Sequence, residues 1–83
     1  MNRKDIEQRV RNILFSVLGI EIHKINTNTS PDTVDNWDSI NHLNLMIAME
    51  EEFDVEFSQE NILKMITFEE MCTTVEDKLV EKD

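Results

Sequence analysis

The sequence has 83 residues and a formal net charge of -10, with one Gly, one Pro, one Cys and no Tyr. A chain of this length forms one small domain, and so few turn-forming residues disfavour a β-rich fold. A domain of this size buries only about 60% of its unfolded surface, which leaves no room for a deep active-site cavity. The negative charge repels phosphate backbones and anionic lipid, so we do not expect the protein to bind nucleic acid or membrane surfaces.

The first half of the chain predicts one long helix followed by a long loop. Apolar residues recur at helical spacing over residues 3–18, and Gly19 stands where a terminating glycine is expected. Residues 23–37 are rich in side chains that bond to their own backbone in turns, and they include the only Pro. We expect three apolar residues to anchor this loop against the helices: Ile25, Val34 and Trp37.

The second helix is predicted for residues 39–53, which contain no Gly or Pro and follow the capping residue Asp38. Its apolar side chains are too many for one narrow stripe and divide into two neighbouring seams. One seam comprises Leu45, Met49 and Phe53, and the other comprises Ile40, Leu43 and Ile47. We expect the first seam to face the core and the second to reach the surface.

Two further helices complete an all-α fold. A short helix is predicted for residues 59–64, with Ile62 and Leu63 facing inward, and a fourth helix for residues 68–80. The predicted fold is a small four-helix bundle with three long helices, one short third helix and a long first loop. It forms a single domain over residues 1–83.

The acidic residues concentrate in the middle of the chain. No Lys or Arg lies between Lys24 and Lys64, whereas nine of the eighteen acidic residues do. Like charges crowded in this way destabilise a fold unless something external compensates for them. A docking surface for basic partners is therefore favoured over a merely solvated face.

Cysteine content and hydropathy predict the cellular compartment of the protein. A single cysteine cannot form an internal disulfide, and Cys72 is expected to be buried on the apolar face of the fourth helix. The sequence shows no signal peptide and no apolar run long enough to span a membrane. We expect a cytoplasmic protein that does not insert into membranes.

Ser39 is the candidate functional residue. It directly follows the cap of the second helix at the mouth of the long loop, so its hydroxyl should be accessible to another enzyme. A phosphodiester attached there would lie beside the unpaired N–H groups and the positive dipole end of the helix.

The residues around Ser39 carry a family resemblance. Asp38-Ser39-Ile40, followed by Leu43, Leu45, Met49 and Glu50-Glu51-Glu52-Phe53, resembles the signature of the acyl carrier protein family, and the resemblance covers nearly the whole chain. It implies that Ser39 carries 4'-phosphopantetheine, transferred from coenzyme A by a phosphopantetheinyl transferase, with Asp38 and Ile40 as the flanking motif. The arm's thiol would hold an acyl or aminoacyl group as a thioester, so the chain would be a monomeric carrier and not an enzyme.

The same resemblance implies a partner surface on the second helix. Its positions are Asp38, Leu43, Ile47, Glu50 and Glu51, which would meet basic patches on enzymes that load or transfer acyl or aminoacyl groups.

Departures from the family pattern point to a specialised member. Carriers of primary fatty-acid synthesis have a small pair before Asp-Ser, then Leu, an acidic residue and another Glu further along the helix. This chain has Asn36-Trp37 before, Ile40 and Asn41 after, and Asn44 at the later position. It resembles carriers of dedicated pathways such as polyketide, surface-polysaccharide, lipid or aminoacyl modification.

The same residues suggest three other functions: hydrolysis, metal binding and protein interaction without a prosthetic group. Ser39 and His42 suggest a nucleophile and base, but no nucleophile elbow or third partner accompanies them, and His42 is expected on the helix surface. The sequence contains no calcium-loop motif, so no dedicated metal site is expected, and loose binding of divalent ions near the Glu cluster stays open as an alternative. The remaining alternative is an acidic helical protein-interaction module without a prosthetic group.

Overall fold

The computed structural model describes residues 1–82, and in this range it consists of helices and loops. Its elements are α1 (Arg3–Leu18), a short 3₁₀ helix (Ile22–Lys24), α2 (Ser39–Phe53), α3 (Gln59–Lys64) and α4 (Phe68–Lys82). The predicted all-α fold with three long helices and a short third helix is confirmed, and α4 runs two residues beyond its predicted end. Asp83, the last residue of the predicted domain, lies outside the described residues. Among those residues, no helix has both the length and the apolar character that a membrane span requires.

The core is built around α1, which packs against both α2 and α4. Its buried side chains form one stripe that ends before Gly19, whose φ of 72° terminates the helix in the left-handed conformation. On α2 the predicted inner seam is buried, whereas the outer seam is exposed. The core residues of the three long helices include Ile6, Val10, Leu14, Leu45, Met49, Phe53, Phe68, Met71 and Val75.

The long loop is held to the helices as predicted. Ile25 and Trp37 are buried, and Val34 packs against the core while partly exposed. The buried Thr29 adds a polar anchor, because its hydroxyl accepts the Asn26 N–H at 2.9 Å and its carbonyl accepts the Phe68 N–H at 2.9 Å. The loop thus supplies an acceptor for the first N–H of α4.

The inward orientation predicted for α3 is only half right. Ile62 packs against the core, but Leu63 is 76% exposed, so the prediction for Leu63 is wrong. Successive residues on a helix point about 100° apart, and a single short helix cannot direct both side chains inward. The buried residues that anchor this region are Phe57 and Met65, which flank α3 on either side.

Cys72 is fully buried on the apolar face of α4, as predicted. Burial disfavours the thiolate and raises the pKa of Cys72 from its ordinary 9.0 to about 12, although Arg3 acts in the opposite direction.

At pH 8 we therefore expect a thiol reagent to label Cys72 readily in urea and far more slowly in the native protein. Because the folded-state pKa is raised, the stabilisation is complete below about pH 9 and is lost as pH rises towards 12. The melting temperature should fall more steeply between pH 9 and 11 for the wild type than for Cys72→Ala. Equal slopes, or fast labelling of the native protein, would contradict this assignment.

Candidate functional site

Ser39 lies at the first position of α2, and Asp38 determines where that helix begins. The Asp38 carboxylate accepts the Asn41 N–H at 2.8 Å, and its carbonyl accepts the His42 N–H at 2.8 Å. The N–H groups of Ser39 and Ile40 have no acceptor within the helix. The exposed Ser39 hydroxyl therefore lies at the positive end of a 15-residue helix. The predicted cap is confirmed.

Three asparagines tie the start of α2 to the end of α1. The Asn36 side-chain amide donates to the carbonyl of Leu18 at 2.8 Å, and the Asn41 amide donates to the carbonyl of Asn36 at 2.8 Å. The Asn44 amide then donates to the Asn41 side-chain oxygen at 3.3 Å. The sequence showed these asparagines only as departures from the family pattern, whereas the structure shows that they form a chain of hydrogen bonds from the end of α1 into the start of α2.

His42 joins the loop, α2 and α3. The Trp37 indole N–H donates to His42 Nδ1 at 3.1 Å, and the other ring nitrogen, Nε2, lies 3.0 Å from the carbonyl oxygen of Ile62. Because Nδ1 is the acceptor, the ring hydrogen is on Nε2 and donates to Ile62. The Trp37 and His42 rings also stack, with centroids 6.2 Å apart. His42 is therefore half-buried and not on the open helix surface where it was expected.

This arrangement bears directly on the nucleophile-and-base alternative. Both ring nitrogens of His42 are engaged, one by Trp37 and one by Ile62. Among the hydrogen bonds of residues 1–82, none joins His42 to the Ser39 hydroxyl. His42 is thus not arranged as a general base for Ser39.

An open, mostly apolar groove of about 530 Å³ lies beside Ser39, between the loop, α2 and α3. The exposed Leu63 contributes to its wall, which explains the role of a side chain that does not reach the core. Sequence reasoning missed both Leu63 and Ile66 as site residues, and only their exposure in the folded chain identifies them. The groove is lined by Pro31, Trp37, Asp38, Ser39, His42, Leu43, Ile62, Leu63 and Ile66.

The acidic end of α2 contains carboxylates with different roles. Glu50 accepts the Phe57 N–H at 2.8 Å and so holds the chain that leads into α3. Glu52 forms an ion pair with Arg9 at 3.0 Å. Glu51 is exposed, about 18 Å along the helix from Ser39 at 1.5 Å per residue. Within residues 1–82, no group of three His, Cys, Asp or Glu side chains is arranged to hold a metal ion.

Known proteins resemble this chain over nearly its whole length. An acyl carrier protein from Buchnera aphidicola (subspecies Acyrthosiphon pisum, strain 5A) is 34% identical over 79 residues, which cover 95% of this chain and 99% of that protein. The chain belongs to the acyl carrier protein family. An acyl carrier protein from Bdellovibrio bacteriovorus is 32% identical over 73 residues, covering 88% of this chain and 94% of that protein. No protein-family model matches the sequence.

The fold agrees with this family. The crystal structure of an acyl carrier protein from Thermotoga maritima superposes with a TM-score of 0.83 and 24% sequence identity, covering 100% of this chain and 96% of that one. As a member of the family to which these relatives belong, the chain is a carrier protein and not an enzyme.

The Asp38 cap of this carrier can be tested by substitution. Asp38→Ala removes the acceptor of the Asn41 N–H, which should lower the free energy of unfolding by about 1 kcal/mol and the melting temperature by roughly 4–8 °C. Asp38→Ser keeps an acceptor and should retain most of the stability. Urea and thermal unfolding followed by circular dichroism measure both variants. An Asp38→Ala protein as stable as the wild type would show that the cap contributes nothing.

Proposed function

We propose that this carrier holds an acyl or aminoacyl group as a thioester on 4'-phosphopantetheine attached to the Ser39 hydroxyl, and presents it to partner enzymes. The observation that carries the proposal is the exposed Ser39 at the start of α2, in a chain of this family. The prosthetic group supplies a thiol that keeps a carboxylic acid activated. Every other part of the function belongs to the protein: presenting the serine, orienting the arm and recognising the partners.

The residues around Ser39 suit a phosphodiester. The Ser39 and Ile40 N–H groups and the helix dipole favour a negative charge at this end of α2. The Asp38 carboxylate accepts the Asn41 N–H, and this hydrogen bond partly offsets the negative charge that Asp38 would present to a phosphodiester on Ser39. The groove beside Ser39 offers apolar walls to the arm or its cargo. A flexible arm raises the effective concentration of the cargo at each partner's active site.

The outer seam of α2 is the proposed partner surface. Ile40, Leu43 and Ile47 are 72%, 53% and 55% exposed, which leaves a row of apolar side chains on the helix. Glu51 follows them with an exposed carboxylate, and Asp38 marks the end near Ser39. Glu50 is retained as a proposed contact, although it also accepts the Phe57 N–H. The partners would be the phosphopantetheinyl transferase and enzymes with basic patches that load or transfer acyl or aminoacyl groups.

We further propose that the carrier serves a dedicated pathway and not primary fatty-acid synthesis. The half of α2 nearest Ser39 carries Asn41 and Asn44, whose side chains are joined to each other and to the loop. Electrostatic docking is thereby concentrated at the far end of the helix. A monomer in the cytoplasm is proposed as well, in keeping with a single buried Cys72 that forms no disulfide.

Intact mass tests the attachment. Incubation with coenzyme A and a broad-specificity phosphopantetheinyl transferase should add one phosphopantetheine to the wild type and none to Ser39→Ala. Ser16→Ala, which changes an exposed serine on α1, is the matched control and should still be modified. No increment on the wild type with several transferases would make the acidic protein-interaction module the better explanation.

Charge reversal tests the docking surface. Glu51→Lys places a positive charge where a basic partner is proposed to bind, so the KM of the transferase should rise roughly twofold to tenfold at low salt, with less effect at high salt. Asp77→Lys makes the same change of charge at an exposed position of α4 and should leave the KM near that of the wild type. Equal effects of the two variants would indicate net charge and not a docking site.

A further inference from the structure

Among the α-helices, α3 has little in its own structure to fix its position. It has six residues and no buried side chain, whereas α1 and α2 each bury several. A helix this short is not stable alone. The capping box of Ser58 and Asn61 satisfies its first turn, and Phe57 and Met65 anchor the chain on either side. Its orientation therefore depends on contacts that other elements make with it.

Two directional contacts from α2 reach the α3 region at opposite ends. At the near end, Glu50 of α2 accepts the Phe57 N–H, just before α3 begins. At the far end, His42 Nε2 lies 3.0 Å from the carbonyl oxygen of Ile62, which otherwise accepts, within residues 1–82, only a long 3.4 Å bond from the Met65 N–H. The apolar contacts in the groove are non-directional and do not by themselves set an orientation.

The His42 contact lies at the end of α3 that forms the groove beside Ser39. Ile62 and Leu63 of α3 form one wall, Trp37 forms another, and His42 lies between them. The same imidazole that donates to Ile62 accepts the Trp37 indole N–H at 3.1 Å. Trp37 precedes Ser39 by two residues and His42 follows it by three, so one ring joins both sides of the attachment site to α3.

We infer that His42 is a positioning residue for the Ser39 site, holding α3 against Trp37 and the start of α2 so that the groove is already formed when a partner enzyme binds. This rests on the proposed function of Ser39. A preformed groove lowers the ordering cost of each encounter, because α3 is not left to find its place during binding. The energetic effect falls on binding and not on the chemistry that the partner performs.

Three substitutions separate the two hydrogen bonds of His42. His42→Phe keeps a ring of similar size and removes both bonds. His42→Gln places a carboxamide N–H near the position of Nε2 and keeps the bond to Ile62. His42→Asn places a carboxamide oxygen near the position of Nδ1 and keeps the bond to Trp37 while losing that to α3.

Hydrogen exchange and transferase kinetics on the full-length variants give the readouts. In His42→Phe the amides of Ile62 and Met65 should exchange roughly tenfold faster, the loss expected for one hydrogen bond, with α1 and α4 unchanged. The KM of the transferase for this variant should rise about fivefold, with kcat within about twofold of the wild type. His42→Gln should restore both values towards the wild type, and His42→Asn should resemble His42→Phe.

Several results would overturn the inference. One is a His42→Phe variant whose amide exchange rates and transferase KM equal those of the wild type. Another is a His42→Gln variant whose exchange rates and KM are the same as those of His42→Phe. A third is a change in kcat with no change in KM. If His42→Phe does not fold, His42→Gln is compared with His42→Asn instead. The inference then requires faster exchange and a higher KM in His42→Asn than in His42→Gln, and equal values would overturn it. An unmodified wild type would refute the proposed function of Ser39, while the exchange rates would still show whether His42 holds α3.

Discussion

The hydrogen bond from the Asn41 N–H to the Asp38 carboxylate fixes where α2 begins, and the arrangement of the site depends on it. Because the helix starts at Ser39, the serine hydroxyl lies outside the hydrogen-bonded turns and at the positive end of the dipole. The same register buries Leu45, Met49 and Phe53 and leaves the outer seam exposed. One cap thereby couples the packing of the core to the exposure of Ser39, the proposed attachment site.

A thin core explains why the candidate site lies on the surface. The three long helices fill their interior with close-packed side chains, and three of these, Met46, Met49 and Met71, are methionines that adapt to irregular gaps. The groove at Ser39 is therefore an open depression between the loop, α2 and α3. The carboxylates at the end of α2 differ in their roles. Glu50 accepts the Phe57 N–H and Glu52 pairs with Arg9, whereas Glu51 is exposed to solvent. A net charge of -10 thus contains both structural and exposed carboxylates.

The sequence predicted the helices well because periodicity and capping residues are local signals, and α1, α2 and α3 have their predicted ends. It also identified the exposed seam of α2 and the position of Ser39. It failed for Leu63 and His42, whose environments are created by the packing of α3 against the loop. The hydrogen bonds of the Asn36 and Asn41 side chains could not be predicted from the sequence for the same reason. Each joins residues that only the tertiary fold brings together.

Trp37 is the only tryptophan of the chain, and it lies two residues from Ser39 with its indole N–H bonded to His42. All the tryptophan emission of the protein therefore originates beside Ser39, the proposed attachment site. Any event that shifts α3, fills the groove or changes the imidazole alters the surroundings of that single fluorophore. The carrier thus has an intrinsic optical reporter of the surroundings of Ser39, which can be followed in real time on the unlabelled protein.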